Sequence, residues 1–358
     1  MVTWASSNGE RAKGTPLLAS LESIARSRGA DAIEVRIAEL RGFLHEDLAA
    51  IEAGLSELEV RPTPMHESAS RLVASGGKRL RPLCVALAAR LGTGFNDTVR
   101  DLAIAAELVH SATLLHDDVV DMGLKRRGAD AARVIYGNAA SIFAGDWLLV
   151  EALTRVQRAK MVDVTDRALS VLGEMLEAEA LQLARRGKVN GTIDDYLAVA
   201  RGKTASLFRW AMFAGARAGG LDVKEREALE RFGELVGLAF QIVDDVLDVE
   251  GDAPLLGKNL FADIREGKLT FPLMKTLERE PVLRRELEDA LAREGEICDA
   301  DLVGRIVTRM RESGSLREAR TWAKELVSEA RDVLAPFPPC PARWALESVA
   351  DTITTRSA

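Results

Sequence analysis

The sequence predicts an all-α protein on three observations. From Asp31 onward the strong helix formers Ala, Leu, Glu and Arg dominate. Aromatic residues make up only 5% of the chain. Runs in which β-branched and polar residues alternate are missing, so strands have little support. A chain of 358 residues, 47% hydrophobic, can bury a large core within one helical domain.

Residues 1–30 carry Ser, Gly, Arg and Lys with little periodicity and read as a flexible tail, leaving residues 31–358 as a single domain. Arg81-Pro82 opens a helix that Leu91-Gly92 closes. From about Val99 to Asp121, the side chains of Ala106, His110, Thr113, Asp117 and Asp121 recur every three or four residues and so share one stripe. Ala/Leu-rich helices follow around 139–159, 163–187 and 193–218, the last opened by a capping box of Thr192 and Asp195. A second acidic stripe, from about Lys224 to Asp248, carries Gly237, Gln241, Asp244 and Asp248. The Pro-rich run Ala335–Pro339 reads as a turn, and no Pro/Gly-rich linker divides the domain.

Composition removes several classes of function. A formal charge of −7 argues against a nucleic-acid surface, so a bound anion must be held by a local basic cluster or through a metal. Cys84, Cys298 and Cys340 are odd in number and too widely spaced for a disulfide framework or a zinc site. The N-terminus lacks an apolar signal region and no run of eighteen apolar residues occurs, which predicts a cytoplasmic protein without a membrane span. Nucleotide loops and nucleophile triads are absent from the sequence.

What remains is two copies of D-D-x-x-D, His116-Asp117-Asp118-Val119-Val120-Asp121 and Val243-Asp244-Asp245-Val246-Leu247-Asp248, each ending an apolar helix. The outer aspartates of each copy stand about 6 Å apart along the helix axis, while the middle one is turned about 100° away. Crowded carboxylates repel unless a cation compensates them, and hard oxygen donors in small number suit Mg2+ that shares its shell with substrate phosphates. Cations accompany them: Gly76-Gly77-Lys78-Arg79-Leu80-Arg81-Pro82 before a helix start, Lys125-Arg126-Arg127-Gly128 just after the first acidic motif, then Lys203-Thr204 and Lys258. Acidic clusters for metal and basic loops for anions together imply two polyanionic substrates. His45, His66 and His116 read as structural histidines. His110 lies about 10 Å below Asp117 on its helix, within reach of the same site.

These motifs, in this order and with Phe240-Gln241 before the second aspartate set and Gly257-Lys258-Asn259 after it, resemble the trans-isoprenyl (polyprenyl) diphosphate synthases. The resemblance runs from about residue 35 to the C-terminus and implies an isoprenoid synthase fold, a helical bundle around a deep apolar cavity with both aspartate motifs at its mouth. It implies head-to-tail condensation of isopentenyl diphosphate onto an allylic diphosphate. By resemblance, Asp117, Asp118, Asp121, Asp244, Asp245 and Asp248 hold Mg2+, three ions per site. Arg126, Lys203, Thr204, Gln241, Lys258 and Lys268 take the allylic diphosphate, and Lys203 is also counted among the catalytic residues. Lys78, Arg81, His110 and Arg127 take isopentenyl diphosphate, with Arg79 beside them. A homodimer is likewise implied, and product delivery to a membrane is compatible with it.

Ala112 and Thr113 stand where short-chain members of that family commonly carry an aromatic plug, and small side chains there imply a long all-trans product, about seven to ten isoprene units. Deeper residues such as Val109 or Leu172 are the alternative floor. The alternatives are a farnesyl or geranylgeranyl diphosphate synthase and a subunit of a heteromeric synthase. A terpene cyclase is disfavoured by the second Asp-rich motif, and a carboxylate-bridged oxidase by the absence of Glu-x-x-His pairs.

Overall fold

The structure, a computed structural model, describes residues 30–59, 61–250, 261–294 and 299–355, with the helical backbone alone for 30–42. The tail expected over residues 1–30 therefore falls almost wholly outside the described residues, as do Gly257, Lys258, Asn259 and Cys298.

The described elements run α1 Ala30–Ser56, α2 Pro64–Ala74, α3 Leu80–Arg90 and α4 Asp97–Val120, then a hairpin of β1 Lys125–Arg126 and β2 Ala129–Asp130. There follow α5 Ala132–Tyr136, α6 Asn138–Arg158, α7 Val162–Arg185, α8 Ile193–Ala200, a π-helical turn Arg201–Ala205, α9 Ser206–Ala218 and α10 Val223–Glu250. The last are α11 Ala262–Arg265, α12 Phe271–Arg279, α13 Pro281–Glu294, α14 Ala300–Glu312, α15 Ser315–Val333 and α16 Pro341–Thr354. The all-α expectation holds, and the two-residue strands are the departure from it.

Local chemistry sets the boundaries. Asn96 Oδ1 accepts the Val99 amide at 3.0 Å and starts α4. The predicted capping box is formed: Thr192 Oγ1 accepts the Asp195 amide at 3.1 Å, and Asp195 Oδ2 accepts the Thr192 amide at 2.9 Å. Pro82 lies in the first turn of α3, where no intrahelical donor is required. The hairpin turns on Arg127 and Gly128, both at positive φ (52° and 78°), the signature of a tight two-residue connection.

Helices α4 and α10 form the centre. Leu102, Ile104, Leu108 and Leu115 of α4 and Phe232, Leu235, Val236 and Ile242 of α10 are at most 1% exposed, so apolar surface covers these helices nearly all round. α4 packs most extensively against α6, and α10 lies between α9 and α15. The C-terminal ends of both central helices carry the aspartate motifs, so what joins those ends decides whether they form one site.

Candidate active site

A π-helical turn joins them. Lys203, within Arg201–Ala205, places Nζ 3.5 Å from Asp117 Oδ2 and 2.6 Å from Glu179 Oε2. Its neighbour Thr204 donates from Oγ1 to Gln241 Oε1 at 2.6 Å, and Gln241 Nε2 donates to Asp245 Oδ1 at 2.8 Å. Two adjacent residues therefore reach both aspartate motifs, Lys203 directly at Asp117 and Thr204 through Gln241 to Asp245. The widened turn offsets these side chains from the regular helical stripe, and π turns recur at functional sites for that reason. α10 fits beneath it because Gly237 has no side chain: a Cβ there would lie 2.5 Å from Ala205 Cα.

The two motifs are built alike. In each, the middle aspartate turns inward, as the helical rotation requires. Asp118 is 1% exposed and accepts from Arg126 Nε at 2.9 Å. Asp245 is 3% exposed and is held by the Tyr196 hydroxyl and the Gln241 amide, each at 2.8 Å. The outer aspartates, Asp117, Asp121, Asp244 and Asp248, are only partly buried. Of the six carboxylates assigned to metal, Asp118 and Asp245 also accept protein donors inside the fold.

Electrostatics differ from carboxylate to carboxylate. Burial and nearby Glu179 and Asp121 raise Asp117 despite Lys203 and Arg126. Asp121 is lowered, because Lys268, Lys203 and Arg186 outweigh its desolvation. Burial, Asp263 and Asp244 hold Asp245 well above the ordinary carboxylate range against its two hydrogen bonds. For Lys268 burial acts downward, but Asp263, Asp121 and Glu266 raise its ammonium, which bonds Asp121 Oδ2 at 2.8 Å.

The second basic cluster lies along α3 and the hairpin. Arg81 is part-buried, with its guanidinium 4.6 Å from the Phe208 ring centroid and its Nε buried without a hydrogen-bond partner among the described residues. Desolvation pulls it down to about 10, so it stays charged at neutral pH. Arg127 donates to Ser75 Oγ at 3.0 Å and lies against the Gly77 backbone, bringing the hairpin to the Gly-Gly loop. Lys78 is exposed on that loop. His110 is part-buried, and burial together with Arg81, Arg127, Arg126 and Arg79 keeps its imidazole well below the usual range.

Arg79 departs from expectation. It is 4% exposed, at φ 49°, and donates to Glu52 Oε1 at 2.8 Å, Glu107 Oε1 at 2.6 Å and the Val73 carbonyl at 3.0 Å. Its charge is used inside the protein, tying α1, α2 and α4 together, and it is not presented to a ligand. His66 and His116 have the structural surroundings expected: His66 packs on Trp147, and His116 Nε2 lies 3.2 Å from the Ile142 carbonyl.

Below Asp117, Thr113 is one turn down and bonds the His110 carbonyl, and Ala112 is fully buried. A narrow apolar cavity follows, lined by Val109, Ala152, Leu172, Leu207 and Trp210 among others, with about 10 Å³ of free volume, roughly one water. The two residues weighed as deeper floors, Val109 and Leu172, thus line one cavity.

Among the described residues no three His, Cys, Asp or Glu side chains form a preformed metal cage. The outer aspartates nonetheless supply hard oxygen donors at one mouth, few per ion, which fits a divalent cation completed by a diphosphate rather than by protein alone. Sequence reasoning missed Glu179, Tyr196 and Arg186. Tyr196 lies seven residues before Lys203, two turns along the same helical face, and that spacing was its one available signal.

Comparison with known proteins agrees with this geometry. The Polyprenyl synthetase family model matches residues 62–307. The octaprenyl diphosphate synthase of Escherichia coli is 33% identical over 321 residues, covering 87% of this chain and 96% of that one. A short chain isoprenyl diphosphate synthase of Methanothermobacter thermautotrophicus is also 33% identical, over 83% of this chain and 92% of its own. A polyprenyl synthase from Caulobacter crescentus, solved with calcium and isoprenyl diphosphate, superposes with a TM-score of 0.85 at 37% identity, covering 89% of this chain and 97% of that one.

Proposed function

The chain belongs to the polyprenyl synthetase family and is a prenyltransferase, and from that premise we propose that it extends an allylic diphosphate with isopentenyl diphosphate to a long all-trans product, about seven to ten isoprene units. The observation that carries this reading is the π-helical turn, where Lys203 meets Asp117 and Thr204 connects through Gln241 to Asp245.

Lys203, Arg126, Lys268, Thr204 and Gln241 orient the allylic diphosphate, and Lys258, outside the described residues, is assigned to the same anion. Lys78, Arg81, Arg127 and neutral His110 hold isopentenyl diphosphate so that its double bond faces the allylic C1. Arg79 acts one step removed, by fixing the loop that carries Lys78 and Arg81. The outer aspartates would hold Mg2+, three ions per site, which would supply charge neutralisation at the diphosphate leaving group. The allylic C1–O bond breaks with its electron pair leaving on the diphosphate, the isopentenyl alkene forms the new C–C bond, and a proton is lost to the departing diphosphate. Packed helices keep water from the cation.

Relatives making long and short products share 33% identity with this chain, so overall similarity does not choose product length. The small residues Ala112 and Thr113 beneath Asp117 support the long one. The reading extends to a homodimer, supported by an exposed apolar stripe on α7, where Leu169 and Leu176 are 53% and 72% exposed. No helix among the described residues is long and apolar enough to cross a membrane. Delivery of the product to a membrane would therefore rest on surface contact.

The test is incubation with isopentenyl diphosphate, Mg2+ and each of dimethylallyl, geranyl, farnesyl and geranylgeranyl diphosphate, followed by chromatography of the dephosphorylated products. Long polyprenols are expected. Products ending at farnesol or geranylgeraniol would replace the long-chain reading with the short-chain one, and no extension of any starter would defeat the site assignment.

A further inference from the structure

Arg186, just past the end of α7, reaches the first aspartate motif from outside every motif recognised in the sequence. Its Nη2 bonds Asp121 Oδ1, while Lys268 Nζ bonds Asp121 Oδ2 at 2.8 Å. Both carboxylate oxygens are thus taken by cations from two different loops. The loops are tied together: the Gly187 amide donates to the Gly267 carbonyl at 3.0 Å. Gly267 has φ +68°, and a Cβ there would lie 2.9 Å from Gly187 N, so the contact requires glycine. Arg186 Nε is buried and lacks a hydrogen-bond partner among the described residues, although its guanidinium is planar and suited to forked anion binding.

Glu266 Oε2 also lies 2.6 Å from Lys268 Nζ, so Arg186 and Lys268 are balanced by Asp121 and Glu266. A divalent ion arriving there alone must compete with Arg186 and Lys268 for oxygens already bonded. A diphosphate arriving with it would free those oxygens, because its own oxygens would accept the displaced guanidinium and ammonium. Resting on the reading that the outer aspartates share a divalent ion with the allylic diphosphate, we propose that Arg186 is a positioning residue that makes metal binding at Asp121 conditional on the diphosphate. Coupling of this kind is reciprocal, so metal strengthens diphosphate binding by the same factor.

The test measures Mn2+ binding to the full chain by electron paramagnetic resonance, with and without inorganic pyrophosphate. In the unaltered protein pyrophosphate should tighten Mn2+ binding by about tenfold or more. Arg186→Gln should bind Mn2+ alone several-fold more tightly and lose most of that enhancement, whereas Arg186→Lys, which keeps the charge, should retain it. Arg186→Met provides a second neutral variant should Arg186→Gln not fold, with thermal melts as the check. A merely structural tether would shift the melts and leave the enhancement intact, which overturns the proposal while the metal site stands. If the unaltered protein binds no Mn2+ in either condition, the metal site and this inference fall together.

Discussion

His110 is neutral because four arginines surround a desolvated imidazole, and that has a consequence for stability. Unfolded histidine titrates near 6.5, whereas the folded-state value is well below it. Below about pH 6.5 the unfolded chain binds a proton that the folded chain refuses, so stability present above that pH is lost as pH falls, by at most about 1.4 kcal/mol per unit. Urea unfolding at pH 7.5 and 5.5 should show a smaller loss for His110→Gln than for the unaltered protein; equal losses would place the titration elsewhere. Thr113 is a second decisive side chain, one turn below Asp117 and above the cavity lined by Val109. Thr113→Phe should shorten the product by several isoprene units while activity persists, as read by chromatography; unchanged lengths would remove this face of α4 from the product path. Helical spacing puts both on the stripe below Asp117, and the family resemblance supplied their proposed roles. Sequence could not decide direction for Arg79, whose charge looks like that of Arg81 until Glu52 and Glu107 are seen to hold it inside.

The helices were legible where their chemistry is local. The capping box of Thr192 and Asp195 and the acidic ends of α4 and α10 follow from period and cap residues, and the boundaries of these helices fall within a few residues of expectation. The π turn was not legible, because residues 193–218 carry an uninterrupted helical pattern and the close approach of Gly237 to Ala205 is a tertiary contact. The Tyr196 hydroxyl and the Gln241 amide satisfy the buried Asp245 carboxylate, one at each oxygen. Tyr196→Phe leaves the ring contacts with Phe271 and Trp322 in place and deletes only that donor. Leaving a buried acceptor unsatisfied should cost about 1–3 kcal/mol in urea unfolding. Thr204→Val breaks the other end of the network, and the double variant should lose less than the two single losses together, since both act through Gln241 and Asp245. Strict additivity would mean that the network is two independent contacts.

Among the described residues, α7 carries an apolar surface without an account in a single chain. Along α7, Val162, Leu169, Leu176 and Leu183 repeat every seven residues and are 74%, 53%, 72% and 53% exposed. On α6, which packs against α7, Phe143 and Val150 are 59% and 61% exposed. Scattered exposed leucines are ordinary, but a straight stripe at a heptad interval is the pattern by which one helix meets another. The opposite face of α7, with Val164, Ala168, Val171 and Met175, is already buried in the core, so the stripe is not left over from packing within the chain. A second copy related by a twofold axis would cover it with the same stripe, leucine against leucine. Sedimentation of the unaltered protein should therefore give a dimer of the 38.8 kDa chain. Leu169→Glu with Leu176→Glu places four like charges across that contact and should give a monomer with unchanged helical circular dichroism. Each mouth is built from residues of one chain, so the monomer should still bind Mn2+ with pyrophosphate even where turnover falls. A wild-type monomer, or a dimer that survives both substitutions, would mean that this stripe faces something other than a second copy.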